Sequence, residues 1–188
     1  MTVEQRPVPQ WARRPDFRVG AVVAVALAIG FVVWLVAIRD GSSSPKSTIG
    51  VSEVSPDRLR AISVEVGHPI YWAGPAADTT YELTRTPSGR IFVRYIPSGI
   101  PLGIANASFT IVGTYPVPSA YRVTHQLAKK AGETSFAAPR GGFAAYARTT
   151  PTHVYLAYPN QNLQIEVYDP SPKRVRNLIT SGRIAPVP

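Results

Sequence analysis

From Val19 to Ile38 the chain reads VGAVVAVALAIGFVVWLVAI, twenty residues without a charge, closed by Arg18 on one side and Arg39-Asp40 on the other. Twenty residues at about 1.5 Å of helical rise span roughly 30 Å, the thickness of a bilayer's hydrocarbon layer. A core helix of a soluble domain would carry a polar face, and none is present here. The segment therefore reads as a transmembrane helix. Gly20 and Gly30 suit membrane helices, and Trp34 sits where an interfacial aromatic belongs. A cleaved signal peptide would have a shorter apolar stretch and a small-x-small site, whereas this one ends in Ala-Ile-Arg-Asp. The expectation is an uncleaved, single-pass signal-anchor.

The flanks set a direction. Arg6, Arg13, Arg14 and Arg18 against Glu4 and Asp16 precede the segment, while Arg39 and a Ser-rich stretch follow it. The excess of arginine on one side predicts a cytoplasmic amino terminus and a carboxyl-terminal domain outside. The proposed parts are a cytoplasmic tail over 1–18, a transmembrane helix over 19–38, a flexible spacer over 39–54 and an extracytoplasmic domain over 55–188 with a Pro-rich end. Within the spacer Ser43-Ser-Pro-Lys46 matches a Ser-x-x-Lys spacing, but that chemistry needs a serine at a helix start beside a buried lysine.

Local signals divide the outer domain. Ser55-Pro56-Asp57 is an N-cap, a proline at the first helical position and a first-turn acid, so a helix is predicted to Val66, with Gly67 left-handed and Pro69 forbidding continuation. Its apolar face comprises Leu59, Ile62 and Val66. Residues 69–74 read as a short strand. The run from Tyr81 to Ile96 reads as a hairpin turning at Pro87-Ser88-Gly89, which sets Tyr81 opposite Tyr95, Leu83 opposite Val93 and Glu82 opposite Arg94. After a Pro/Gly-rich loop at 97–108, a buried strand is predicted at 109–115 and a second helix at 119–130, with Tyr121, Leu127 and Ala128 inward. Strands at 143–149, 154–158 and 163–168 follow, the last two pairing Leu156 with Ile165 and Val154 with Val167. A final helix from Ser171-Pro172 to Ser181 turns Val175, Leu178 and Ile179 inward. The order predicts an α+β domain of two layers, a mostly antiparallel sheet of about six to seven strands with about three helices on one face. Tyr95-Ile-Pro97 and Tyr168-Asp-Pro170 hint at an internal duplication.

Chemistry is sparse. Without cysteine there is no disulfide framework, thiolate site or thiol nucleophile. His68, His125 and His153 are scattered, and no paired general acid and base, nucleophile elbow, phosphate loop or dinucleotide fingerprint occurs. No catalytic residue, cofactor or metal ligand is assigned. The chain holds twenty Lys+Arg and eleven Asp+Glu; four and two of these precede the anchor, leaving sixteen against nine and a net of +7 beyond it. Lys173, Arg174, Arg176 and Arg183 gather near the end. Such an excess reads first as solvated charge; as a binding feature it would draw anionic wall polymers or lipid headgroups. Nucleic acid is disfavoured, because no aromatic-basic motif of a nucleic-acid module is present. Nine tyrosines form the other concentration, and Tyr155, Tyr168 and Tyr146 read as an outward row on the sheet, a platform for a partner protein or glycan.

Residue usage, rich in Ala, Val, Pro and Arg, suits a high-GC bacterium. The reading is a membrane-anchored envelope protein with a non-enzymatic binding or accessory domain. The candidate surface comprises Tyr146, Tyr155, Tyr168, Lys173, Arg174 and Arg176, and the partners are the bilayer through 19–38 and an envelope protein, wall polymer or lipid headgroup. Two alternatives stand beside it. One is an envelope hydrolase with a site assembled from His68, His153 and the 97–108 loop. The other is a subunit of a division, secretion or signalling complex whose spanning helix makes contacts.

Overall fold

The structure, a computed structural model, describes residues 50–106 and 108–188. The segment expected to span the membrane, the expected tail before it and the expected spacer up to residue 49 lie outside the described residues. Among the described residues, no helix is long and apolar enough to cross a membrane.

The first element is a short strand, β1 (Val51–Val54), and the capped helix α1 (Pro56–Val66) follows it. Ser55 Oγ accepts from the Arg58 amide at 3.2 Å, and Gly67 closes the helix at φ 71°, as the sequence predicts. Next come β2 (Tyr71–Trp72), β3 (Thr79–Arg85), β4 (Ile91–Pro97) and β5 (Thr110–Pro116). Helix α2 (Ala120–Leu127) separates these from the meander β6 (Glu133–Ala138), β7 (Gly142–Ala147), β8 (His153–Ala157) and β9 (Leu163–Tyr168). The chain ends with α3 (Pro172–Thr180) and β10 (Ala185–Pro186).

Eight strands form one antiparallel sheet in the order β1-β3-β4-β5-β9-β8-β7-β6, and β2 pairs with β10 in a separate ribbon. Both predicted hairpin registers are present: Tyr81 faces Tyr95, Leu83 faces Val93 and Glu82 faces Arg94, while Leu156 faces Ile165 and Val154 faces Val167. Strand alternation then sorts the side chains. One face carries Leu83, Val93, Val112, Val167, Val154 and Leu156, and it is buried by Leu59 and Ile62 of α1 and by Val175, Leu178 and Ile179 of α3. The β2/β10 ribbon lies on this same face, where the Tyr71 amide donates to Thr114 Oγ1 at 3.0 Å.

Three expectations change. Helix α2 lies on the opposite face: Gln164 Nε2 donates to Thr124 Oγ1 at 2.9 Å, and the His125 ring stacks on Phe143 with centroids 3.6 Å apart. The domain is therefore layered on both sides of the sheet, in place of two layers with every helix on one face. The reason is chemical, since α2 buries Ala120 and Thr124 and leaves Tyr121, Leu127 and Ala128 only half-buried. Its inner side is polar where it meets the sheet, at the contact of Thr124 with Gln164. Secondly, the sheet has eight strands. The uncounted ones are its edges: β1, three of whose four residues are exposed, occupies the last four positions of the expected spacer, and β6 spells Glu-Thr-Ser-Phe-Ala-Ala, with little β-forming content. Thirdly, α2 stops at Leu127.

Candidate functional site

The exposed surface of α3 is built from the same residues that fold it. Ser171 caps the helix, its Oγ accepting from the Arg174 amide at 3.4 Å, and Pro172 supplies the first-turn φ. Val175, Leu178 and Ile179 go into the core, so the helical period leaves Lys173, Arg176, Asn177 and Thr180 on the water-facing side. No acidic residue lies in the helix.

Its cations are held, and little opposing charge is brought to them. Buried Asp169 takes a hydrogen bond from Thr110 Oγ1 at 2.6 Å and pairs with Arg174 Nε at 3.3 Å, leaving two-thirds of the Arg174 side chain exposed. The Arg176 guanidinium sits 4.6 Å above the centre of the Phe136 ring, a cation–π contact that positions the charge without neutralising it. Arg183 Nη2 donates to the Pro75 carbonyl at 3.3 Å. Two open depressions flank the ridge made by Lys173 and Asn177. Arg174 and Arg183 line one and Arg176 and Thr180 the other. The structure thus brings together Lys173, Arg174 and Arg176 with Arg183, the four cations that the sequence gathers near the end.

The tyrosines do not form one row. Tyr146 lies across from Thr134 on the α1/α3 face, its ring edge-on to Phe136 at 6.2 Å. Tyr155 and Tyr168 project from the α2 face, where Tyr155 faces Glu166 and Tyr168 faces His153. The sequence reading of Tyr146 as a neighbour of the other two fails on alternation, because Tyr146 shares parity with Ala144, which faces Leu156.

The α2 face carries a group that sequence reasoning passed over, the buried carboxylate of Glu166. Gly113 stands directly opposite it on β5, and the Tyr115 ring leans over that glycine so that its hydroxyl donates to Glu166 Oε2. On the other side His153 Nδ1 lies 3.0 Å from Glu166 Oε1. Burial first, and then the negative charge of Glu166, push the Tyr115 hydroxyl well above its ordinary titration range, and the same two causes raise Tyr155. Both phenols therefore stay protonated. Arg90 stands over the Tyr115 ring at 5.5 Å. One signal was available: Glu166 is the single charge in an otherwise uncharged strand, Leu-Gln-Ile-Glu-Val-Tyr.

The other histidines occupy ordinary places. His68 Nδ1 is 3.1 Å from the Pro69 carbonyl and His125 belongs to the α2 stack. Among the described residues, no group of three or more His, Asp and Glu side chains could hold a metal ion.

No family model, no curated protein and no solved structure matches this chain. Its function must be argued from its own side chains.

Proposed function

We propose that this chain is a single-pass, membrane-anchored envelope protein whose outer domain binds a partner through the exposed face of α3. One observation carries the binding role: Lys173, Arg174, Arg176 and Arg183 are gathered along two adjoining depressions, with Asp169 the one carboxylate paired to them among the described residues. A solvated charge excess would be scattered. Holding Arg176 against Phe136 and Arg174 against Asp169 lowers the entropy cost of gripping a ligand. The location rests on the uncharged segment 19–38 and its arginine-rich flank. Protease added to intact cells or spheroplasts is expected to remove the chain beyond about residue 40; protection of that region would overturn the orientation. Crosslinking the anchored protein in its own membrane is expected to capture a partner through α3, and capture unaffected by Arg176→Gln with Arg183→Gln would overturn the assigned surface.

A second reading has its own observation, the 3.0 Å contact of His153 with Glu166 beside the Tyr115 hydroxyl. A carboxylate that orients an imidazole is the supporting half of a hydrolytic site. The purified protein would then cleave model esters or glycans, and His153→Ala would abolish that turnover while Arg176→Gln would not.

A further inference from the structure

We infer that the ligand of the α3 surface is a linear polyol-phosphate polymer, its phosphodiesters lying across the two depressions that flank Lys173 and Asn177. This rests on the binding role proposed above and adds the chemical class of what is bound. Lys173 and Arg176 are one helical turn apart on the exposed stripe, while Arg174 and Arg183 stand on the far side of the ridge. Neighbouring anionic groups of one chain can thus be met at once. Arginine presents a planar fork of donors that fits two phosphate oxygens, and three of these four cations are arginine. Asn177 on the ridge and Thr180 beside it supply neutral donors and acceptors for the linking units.

Shape argues for a polymer over a small anion. Small-ligand sites enclose most of their ligand, whereas both depressions here lie open along a helix and join over a ridge. Nucleic acid fits poorly, because single-stranded binding relies on aromatic rings free to stack on bases. The Phe136 ring beside this surface has Arg176 over it. Anionic lipid headgroups carry the same phosphodiester chemistry, and the vesicle arm of the test separates the two sources.

The test uses the full chain in nanodiscs of zwitterionic lipid, titrated with poly(glycerol phosphate). Binding is expected at 50 mM salt and is expected to weaken at least about tenfold at 200 mM, as counterion release requires. Lys173→Gln with Arg176→Gln should lower affinity about tenfold or more. Arg122→Gln with Lys130→Gln, which removes the same charge from exposed α2 and its following turn, should change it less than about twofold. Melting temperatures of both pairs should match the parent. Equal losses from both pairs would reduce the interaction to bulk charge and overturn the site. Equal affinity for single-stranded DNA of the same charge, or binding confined to phosphatidylglycerol vesicles, would overturn the ligand class. The protease experiment reads location and this titration reads chemistry, so one can fail while the other stands.

Discussion

Gly113 owes its identity to the side chain two residues on. A Cβ built there would sit 2.8 Å from the Tyr115 hydroxyl and 2.9 Å from its ring, closer than carbon atoms normally approach. The ring occupies that space because Glu166 lies opposite Gly113, and crossing the glycine is how the hydroxyl reaches the carboxylate. Gly113→Ala is therefore expected to displace the ring and cost about 1–3 kcal/mol, the usual range for overpacking. In a Tyr115→Ala background the same substitution should cost little more, because the atom it meets is gone. Additive losses in this double-mutant cycle, read from denaturant midpoints, would refute the coupling. Gly89 has a different constraint, φ 77° at the turn of the first hairpin. Valine there should cost about 1 kcal/mol or more through backbone strain, and an unchanged melting temperature would count against the left-handed turn.

Among elements, the loop from 97 to 106 shows what a cross-strand pair can do when it is covered. Glu82 and Arg94 face each other with 0% and 2% of their side chains exposed and are joined by a direct salt bridge. The same guanidinium donates to the Ile104 carbonyl at 2.8 Å, and Glu82 Oε2 accepts from the Gly103 amide at 2.6 Å. The pair thus clamps the loop backbone while Ile100 and Ile104 remain exposed. Arg94→Leu should strand a buried carboxylate and destabilise by about 3–5 kcal/mol, whereas Glu82→Leu with Arg94→Leu should recover most of that loss. The double variant should still free the loop, seen as faster amide exchange at 100–106; protection equal to the parent would refute the clamp. The sequence predicted the register of this pair and missed its burial, since an opposite-charge pair on alternating positions reads equally as a solvated ladder. Helix ends were legible where Ser-Pro and Gly marked them, at α1 and at the start of α3. The side of the sheet taken by α2 was not, because an apolar period such as Ala120, Val123 and Leu127 says that a helix packs and not which face of the sheet it covers. The Tyr-x-Pro repeats also mislead. Tyr95 lies two residues inside the end of β4 and Tyr168 is the last residue of β9, whereas the mirrored sheet order matches β4 with β8.

Across the whole molecule, tyrosine hydroxyls tie the layers together, and this gives the fold an alkaline limit. On the α1/α3 face, Tyr95 accepts from the Ala73 amide at 2.6 Å and donates to the Gly74 carbonyl at 3.1 Å, and Tyr71 donates to Gln161 at 2.7 Å. On the α2 face Tyr115 and Tyr155 border Glu166. All four have titration points raised above the ordinary 10.0, with burial the largest cause in each. A group that ionises less readily folded than unfolded stabilises the fold while neutral. Its contribution is complete below the unfolded value near pH 10 and is lost progressively as pH rises from there toward the folded value. The melting temperature should therefore hold steady between about pH 7 and 9 and fall steeply above about 10. Absorbance near the tyrosinate band should show these four ionising only as the sheet unfolds. Tyr95→Phe should melt lower at pH 8, having lost two hydrogen bonds, yet decline less steeply above pH 10 than the parent. Parallel declines for parent and variant would place the alkaline sensitivity in groups other than these buried phenols.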